Sequence, residues 1–492
     1  MYIRRVTVEN IKSFQGEHTF ELQRGVNFFV GDNNSGKSTV LEALLFMFEG
    51  PSQTKWTPET FYCAHADGRT RVEVDIAGGV DQLVQQDKFA ILADFVFDVD
   101  GVPTLRLERS SELREVVQGK KTRNVDVKAV CFWHPERGQF ENVTGIDARV
   151  KAIFDFEAVW ADAHPGDHID FANNKTLGRL LDVAFKRFVT TDLWEDLSKA
   201  HSRAFGPDEE GSFTAEAERL AGGLKGLVDE QYGSANYRFN FGLPDSNVFM
   251  KQGSLYVDDG SGETLITGKG TGMQRAVALG LIQLYARSTA LVEDGSATPL
   301  ILMLDEPETW MHPSAQLRLG DALNRIGERE QVFIVTHSPY LIRKFLPGRH
   351  LLTVLSGKSL ERRIDSSTAF GILGVGEPTW GEINYRAFGV CSSDFHNELF
   401  GYVQRHIESQ KTNGKAAGNK EIDNFLSQKG VPVDRVWVLT PSYDAYDATL
   451  PMYVRNSIHH PENDANDPVT DVDLRESIEH LVRVVESIAS TP

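Results

Sequence analysis

Cysteine is scarce in this 492-residue chain: Cys63, Cys131 and Cys391 are odd in number and have no metal-type spacing. That excludes a disulfide framework and a zinc module and fits a reducing compartment. Long apolar runs are also lacking. No stretch approaches the ~20 residues of a membrane-spanning helix, and the opening Met-Tyr-Ile-Arg-Arg-Val passes directly into alternating strand-like sequence rather than a signal peptide. The expectation is a cytoplasmic protein with no membrane partner. Basic residues are in deficit, 51 Lys and Arg against 70 Asp and Glu, for a net charge of −19. Such a balance argues against a protein that coats nucleic acid with its whole surface, although a local basic groove would survive it. Between the phosphate-binding segment described next and Asp305 there is no sustained heptad tract, which excludes a long coiled-coil arm. What remains is an ordinary folded composition, 41% hydrophobic and 25% charged, in a chain long enough for a few domains.

The most informative segment is Gly31-Asp-Asn-Asn-Ser-Gly36-Lys37-Ser38, which satisfies G-x-x-x-x-G-K-[ST] at every specified position. Glycines let successive backbone N–H groups turn inward on phosphates, Lys37 reaches the β and γ oxygens, and the Ser38 hydroxyl ligates Mg²⁺. Asn33, Asn34, Ser35, Gly36 and Thr39 complete the cradle. ATP or GTP is therefore the first ligand to consider. Val26 to Val30 ahead of the loop has buried-strand character, and Thr39 to Glu49 after it carries Val40, Leu41, Leu44, Leu45 and Phe48 at helical spacing. The loop thus joins a strand to a helix N-terminus, where the dipole favours an anion.

Around this loop, Tyr2 to Phe14 and Thr19 to Leu22 are expected as strands, followed by β-rich segments at Arg71 to Ile76, Phe89 to Asp98 and Thr104 to Glu108, with Asp100-Gly101 as a hairpin turn. An antiparallel β layer should flank the nucleotide site. From Thr176 to Phe188 and from Thr214 to Val228 the apolar spacing becomes helical, with turn-forming Gly206-Pro207 and Gly211-Ser212 between them. Leu351 to Leu355 is expected as the last strand of the core, and the chain beyond about Thr379 as a largely helical segment containing a flexible polar loop, Thr412 to Gly418. The expected divisions are residues 1–175 and 236–360 for the two parts of the nucleotide-binding core, 176–235 for a helical insertion and 375–492 for a helical C-terminal domain.

Pro299-Leu-Ile-Leu-Met-Leu304 is a continuous apolar run ending in Asp305-Glu306-Pro307-Glu308. A strand buried on both faces belongs in a central parallel sheet, with the acidic pair at its carboxyl end. Asp305 would hold Mg²⁺, and Glu306 would polarise an attacking water. A further strand, Gln331 to Thr336, ends in His337-Ser338-Pro339 and brings an imidazole to the same edge as a γ-phosphate sensor.

These motifs, with Glu9-Asn-Ile-Lys-Ser-Phe14 and Met311-His312-Pro313, resemble the ABC-type ATPases of the RecF, SMC and OLD branch, including the AAA-labelled ATPases of bacterial phage-defence systems. The resemblance covers roughly residues 1 to 360. It implies an α/β fold with a central, mostly parallel sheet, a flanking antiparallel layer and a helical insertion, ATP and Mg²⁺ as cofactors, and the roles above for Lys37, Ser38, Asp305, Glu306 and His337. Trp310 to Pro313 would contact the opposite subunit. The family's signature loop is matched by Gly268-Lys-Gly270-Thr271-Gly272-Met-Gln-Arg275, which departs from the usual Leu-Ser-Gly-Gly-Gln and sets Lys269 or Thr271 where the family has Ser. Because that loop acts in trans, the resemblance implies a homodimer sandwiching ATP, or a larger homo-oligomer of such dimers.

No acidic cluster of the TOPRIM nuclease type, which OLD proteins carry after the ATPase, is legible in residues 360 to 492. Asp394 to Glu408 and Val472 to Ile488 have the pattern of amphipathic helices. Between them, Arg455 followed by Asn456 and, after four intervening positions, His460 resembles the R-x4-6-H motif of HEPN ribonucleases, in which a cation and an imidazole cleave RNA without a metal. Arg455 and His459 equally suit a helix end that packs or docks a partner. The leading expectation is a defence ATPase that senses phage infection and controls a toxic effector. That effector would be its own C-terminal domain or a separate chain, as in PARIS-type systems; a phage protein is a candidate trigger, and nucleic acid stays open as a ligand. A RecF-like DNA repair ATPase and a non-catalytic ATP-dependent scaffold are the alternatives.

Overall fold

The computed structural model describes all residues except 51–68, 119–120, 162–168, 173–174, 207–210, 233–237, 240, 244–245, 261, 290–297, 358–361, 369, 374–376, 412–414, 440–444 and 490–492. Cys63, Pro207 and the first part of the expected polar loop at 412–418 lie outside the described residues. The chain divides into two compact units, residues 1–161 with 296–492, and residues 162–295.

In the first unit, strands β1 (Tyr2–Ile11), β2 (Phe14–Glu21) and β3 (Val26–Gly31) lead into helix α1 (Lys37–Glu49). Next come β4 (Arg71–Ala77), α2 (Val80–Val84), β5 (Phe97–Val99), β6 (Val102–Ser110), β7 (Arg114–Gln118), β8 (Lys121–Val125), β9 (Cys131–His134), β10 (Gln139–Glu141) and β11 (Asp155–Val159). Eight of these strands run in the order β2-β1-β4-β6-β9-β10-β7-β8, with β5 paired to β6, and form the expected, largely antiparallel layer. Its two faces follow the period of two. Val6, Val8, Val72 and Val74 point into the core, whereas Arg5, Glu73, Asp75 and Arg106 interlock across three strands on the other face, with Arg5 Nη2 2.9 Å from Glu73 Oε1 and Arg106 Nε 2.8 Å from Asp75 Oδ1. Asp100 and Gly101 both have positive φ, 54° and 79°, and make the two-residue hairpin between β5 and β6.

One expectation fails here. Residues 89–98 are not a strand: Ala90–Phe95 is a 3₁₀ helix, and extended structure begins only at Phe97. Phe89, Leu92 and Phe95 recur every third residue and are all buried, a spacing that suits three residues per turn and would split between two faces in a strand.

The second unit contains α3 (Thr176–Phe188), α4 (Asp192–Phe205), α5 (Phe213–Tyr232), α6 (Ser246–Lys251), the hairpin β12 (Tyr256–Asp258) and β13 (Glu263–Leu265), and α7 (Thr271–Thr289). The helices expected at 176–188 and 214–228 are present; α4 was not anticipated. None of its residues is buried, although its sequence is amphipathic, with Leu193 and Leu197 exposed on it.

Returning to the first unit, β14 (Leu300–Asp305), α8 (Pro313–Gly327), β15 (Gln331–Val335), α9 (Pro339–Ile342), β16 (Leu351–Ser356) and β17 (Arg363–Ser367) complete the second sheet, ordered β11-β14-β15-β3-β16-β17. All pairings are parallel except β16 with β17. The strand at 351–355 is therefore not the last of the core; β17 follows antiparallel at its edge. Helix α1 lies between the two sheets, and Val40, Leu41, Leu44 and Phe48 share one core with Val6, Val72, Phe29 and Phe333.

The C-terminal module is α10 (Trp380–Phe388), α11 (Ser393–Ser409), α12 (Asn419–Gln428), β18 (Val433–Trp437), β19 (Tyr446–Thr449), α13 (Leu450–His459) and α14 (Asp471–Ala489). The expected amphipathic helices are α11 and α14, and Phe395, Leu399, Val403, Ile478, Leu481 and Val485 build a core of their own. The module is largely helical, as expected, with one short antiparallel pair, β18–β19.

Candidate nucleotide site

Three neighbouring parallel strands deliver their carboxyl ends to one edge. Thr336 N donates to Phe29 O, 3.1 Å, and Glu306 N to Val335 O, 2.8 Å. The loops after β3, β14 and β15 therefore start side by side, while the phosphate-loop glycines follow from the close approach of β16 and of the turn between β1 and β2. Gly31 has φ 131°, and a Cβ there would stand 1.9 Å from Leu355 O; Gly36 has φ 95°, and its Cβ would meet Ser13 Oγ at 2.6 Å and the Phe14 ring at 2.8 Å. No L side chain fits either place.

Lys37 is buried at the first position of α1 and donates from Nζ to Gly31 O, 3.1 Å, and Asp32 O, 2.7 Å. Burial lowers its pKa, and the carboxylates of Glu306, Asp305 and Asp32 oppose that. Ser38 Oγ donates to Asp305 Oδ1 at 2.9 Å. Asp305 is buried, and desolvation pushes its pKa up to about 6 against the pull of the Ser38 hydroxyl. This hydroxyl–carboxylate pair beneath a lysine is the donor set that Mg²⁺ requires, and the glycine cradle leaves room for phosphates, so the residues fit both cofactors.

Glu306 is held at φ 45°, a conformation costing about 1–3 kcal/mol for a non-glycine residue and persisting where the surroundings impose it. Its Oε1 lies 3.9 Å from His337 Nε2. Burial first and Lys37 second depress the His337 pKa, leaving a neutral imidazole at physiological pH. Together Lys12, Ser13, Asn33 to Thr39, Glu42, Glu306 and His337 line a cleft of about 720 Å³.

Sequence reasoning gave no role to the residues that hold His337 in place. Half-buried Glu308 accepts from Thr336 Oγ1, 2.8 Å, and His337 N, 2.7 Å, through Oε1. Gln316 donates from Nε2 to Met311 O, 2.8 Å, and accepts from Ser338 Oγ, 2.5 Å, so the 310–313 loop and the His337 loop are tied by one side chain. Glu308 stands in the acidic run that was noted, but nothing in that run distinguishes a water-polarising carboxylate from one that braces the next loop. Ser338 caps α9 by accepting from Tyr340 N and Leu341 N, with Pro339 at the first helical position.

In the second unit, Gly270 immediately precedes α7, and Thr271 and Gly272 are its first residues. Gln274 is buried and donates to Lys269 O, 2.8 Å, and Thr267 O, 3.2 Å, fixing the loop ahead of the helix, while Lys269 Nζ is 2.9 Å from Asp259 Oδ2. Arg455 and His460, the pair matched to the HEPN motif, have different hydrogen-bond partners. Arg455 donates to Asn456 Oδ1, 3.1 Å. His460 sits past the end of α13 with Nδ1 3.4 Å from Glu462 Oε1, in a cleft lined also by Ser457, Asn463, Asp464 and Asp467 but not by Arg455. Among the described residues no group of three or more His, Cys, Asp or Glu side chains could hold a metal ion.

Two family models match: one described as an AAA domain over residues 5–133, and one described as an AAA ATPase domain over residues 215–342. The Old nuclease of Escherichia phage P2 is 23% identical over 355 residues, 68% of this chain and 56% of that protein, so the chain spans little more than half of its relative's length. Similar solved structures include an Smc head bound to the C-terminal winged-helix domain of ScpA (TM-score 0.42, 13% identity, covering 74% of this chain and 98% of that one). Another is the Smc head with an extended coiled coil bound to the C-terminal domain of ScpA from Pyrococcus furiosus (TM-score 0.41, 12% identity, covering 74% and 96%). The two ATPase-domain models and the Old nuclease relative support an ABC-type ATPase of the RecF, SMC and OLD branch.

Proposed function

We propose that this ATPase is the nucleotide-driven sensor of an antiviral defence system, working as an ATP-sandwiched dimer that restrains or releases a toxic nuclease effector. The observation that carries the reading is the place of the C-terminal module. Arg386 to Gly389, at the end of α10, line a cavity together with Gly31, Asp32, Asn33 and His337, so a change at the phosphates meets the module directly. The nuclease relative supports an effector of that class. We assign the effector to a separate chain, a reading supported by the cleft that His460 lines without Arg455, and the module serves as its docking platform.

In this mechanism the loop N–H groups and Lys37 bind the phosphates, and Ser38 and Asp305 would hold Mg²⁺, which when bound would supply charge neutralisation at the phosphoryl group. Glu306 orients and polarises the water, and neutral His337 supports the terminal phosphate while Glu308 keeps the His337 backbone in place. Gly270 to Gly272 of a second subunit complete the site. The test is phage challenge of cells carrying the chain with its native flanking genes, comparing the natural sequence with Lys37→Ala. Protection that is lost in the variant supports the reading; equal plaquing in both, with hydrolysis stimulated by duplex DNA, would place the protein in repair instead.

A further inference from the structure

The nucleotide cleft continues into a second cavity, of about 420 Å³, whose chemistry the mechanism above does not use. Asn33 and His337 line both, so the two adjoin beside His337, where a terminal phosphate is expected. Among the described residues lining the second cavity, Arg386 carries the one permanent positive charge. Its guanidinium is held from the far side: Nη2 donates to Glu486 Oε1 of α14 at 2.8 Å. Glu382 is 3.5 Å from Arg386 Nε, but its Oε1 already accepts from Gly371 N at 2.8 Å and Ile372 N at 3.0 Å, and Arg386 Nε is buried without a hydrogen-bond partner.

Magnitudes favour an exchange of partners. Glu486 is 52% exposed, and a pair with so wet a carboxylate is worth little because water competes for both ends. A guanidinium meeting a phosphate oxygen in a closed site makes a shorter, charge-assisted bond, often bidentate. We propose that Arg386 is a phosphate-binding residue held in reserve: when ATP occupies the cleft, its guanidinium leaves Glu486 for the terminal phosphate. Helix α14 then keeps its other tie to the end of α10, Arg475 Nη2 donating to Gly389 O at 3.0 Å, but loses the one that reads the nucleotide. The inference rests on the phosphate-loop reading and adds to it a residue through which the C-terminal module distinguishes ATP from ADP.

The test uses the full chain with Mg²⁺ and titrates a non-hydrolysable ATP analogue and ADP by calorimetry. Glu486→Gln, which removes the competitor, should tighten the ATP analogue by about two- to fivefold, the range of an exposed ion pair, and leave ADP unchanged. Arg386→Ala should weaken the analogue by roughly tenfold, also leave ADP unchanged, and abolish the effect of Glu486→Gln in the double variant. In the natural sequence, amide exchange in α14 should rise with the analogue and not with ADP. Unchanged affinity in Glu486→Gln, or equal changes for ADP and the analogue, would mean that Arg386 only packs α10 against α14, and would overturn the proposal. A natural-sequence protein that binds neither nucleotide would instead overturn the phosphate-loop reading on which it rests.

Discussion

Ser38 Oγ donates a 2.9 Å hydrogen bond to Asp305 Oδ1, joining the first turn of α1 to the carboxyl end of β14. The contact sets a hydroxyl against a buried carboxylate one residue along the helix from Lys37, whose pKa the Asp305 charge helps to hold up.

Lys37→Ala should abolish nucleotide binding, because the helix terminus alone is a weak anion site and the loop loses the cation aimed at its phosphates. Isothermal titration in Mg²⁺ is the direct measurement, and affinity equal to that of the natural sequence would refute the assignment. Ser38→Ala should keep Mg²⁺-free nucleotide binding and lose its Mg²⁺ dependence.

Glu306→Gln should retain ATP and slow hydrolysis by roughly 10²–10⁴-fold, the usual contribution of a positioned general base. Since Asp305 and Ser38 still hold the cation, ATP should accumulate in the dimer, visible as a nucleotide-dependent rise in mass by analytical ultracentrifugation. Turnover at the natural rate would remove Glu306 from the catalytic role.

Glu308→Ala takes away the acceptor for Thr336 Oγ1 and His337 N, leaving buried donors at a cost of about 1–3 kcal/mol. Hydrolysis should fall while ATP affinity changes little, because the loop that carries His337 moves and the phosphate cradle does not. Glu308→Gln, which keeps one carbonyl oxygen as acceptor, should recover part of the rate; if both variants lose nucleotide binding instead, Glu308 supports the whole edge rather than the His337 loop.

For the C-terminal module, Arg455→Ala and His460→Ala separate a docking platform from a ribonuclease. With the effector on another chain, the purified natural protein should leave RNA intact and both variants should keep full ATPase activity. RNA cleavage that disappears in each single variant, and no further in the double, would restore the nuclease reading.

Acid should weaken the C-terminal module through His396, which is fully buried with its Nε2 2.9 Å from Ser477 Oγ and its pKa pushed down to about 4, chiefly by desolvation. An unfolded histidine titrates near 6.5. The stability of the neutral buried form is therefore complete above pH 6.5 and declines as pH falls towards 4, by up to about 3 kcal/mol. Buried carboxylates with raised pKa, such as Asp305, act in the opposite direction over part of this window, so the informative quantity is the difference between the natural protein and His396→Gln. The melting temperature of the variant should fall less between pH 7 and pH 5; an identical fall would clear His396.

The nucleotide site was largely legible in the chain because its parts are local. A phosphate loop needs glycine where φ is positive, a lysine and a hydroxyl in fixed order, and a buried strand before and a helix after; each of these is written into consecutive residues from Val26 to Glu49. The same holds for the apolar strand that ends in Asp305 and Glu306, and for the proline-led helix after His337. What could not be read were relations between segments distant in sequence. Residues 89–95 share the apolar content of a strand, and it was the fit of every third side chain into the core that made them a 3₁₀ turn. Glu308 became a brace only because β15 lies beside β14 and presents Thr336 and the His337 amide to it. Arg455 and His460 match a short motif, but the end of α13 turns one towards Asn456 and the other towards Glu462. Arg386 carries no local mark at all; it stands at the nucleotide cleft because α10 packs beside β3, a contact set by burial rather than by any pattern within the helix.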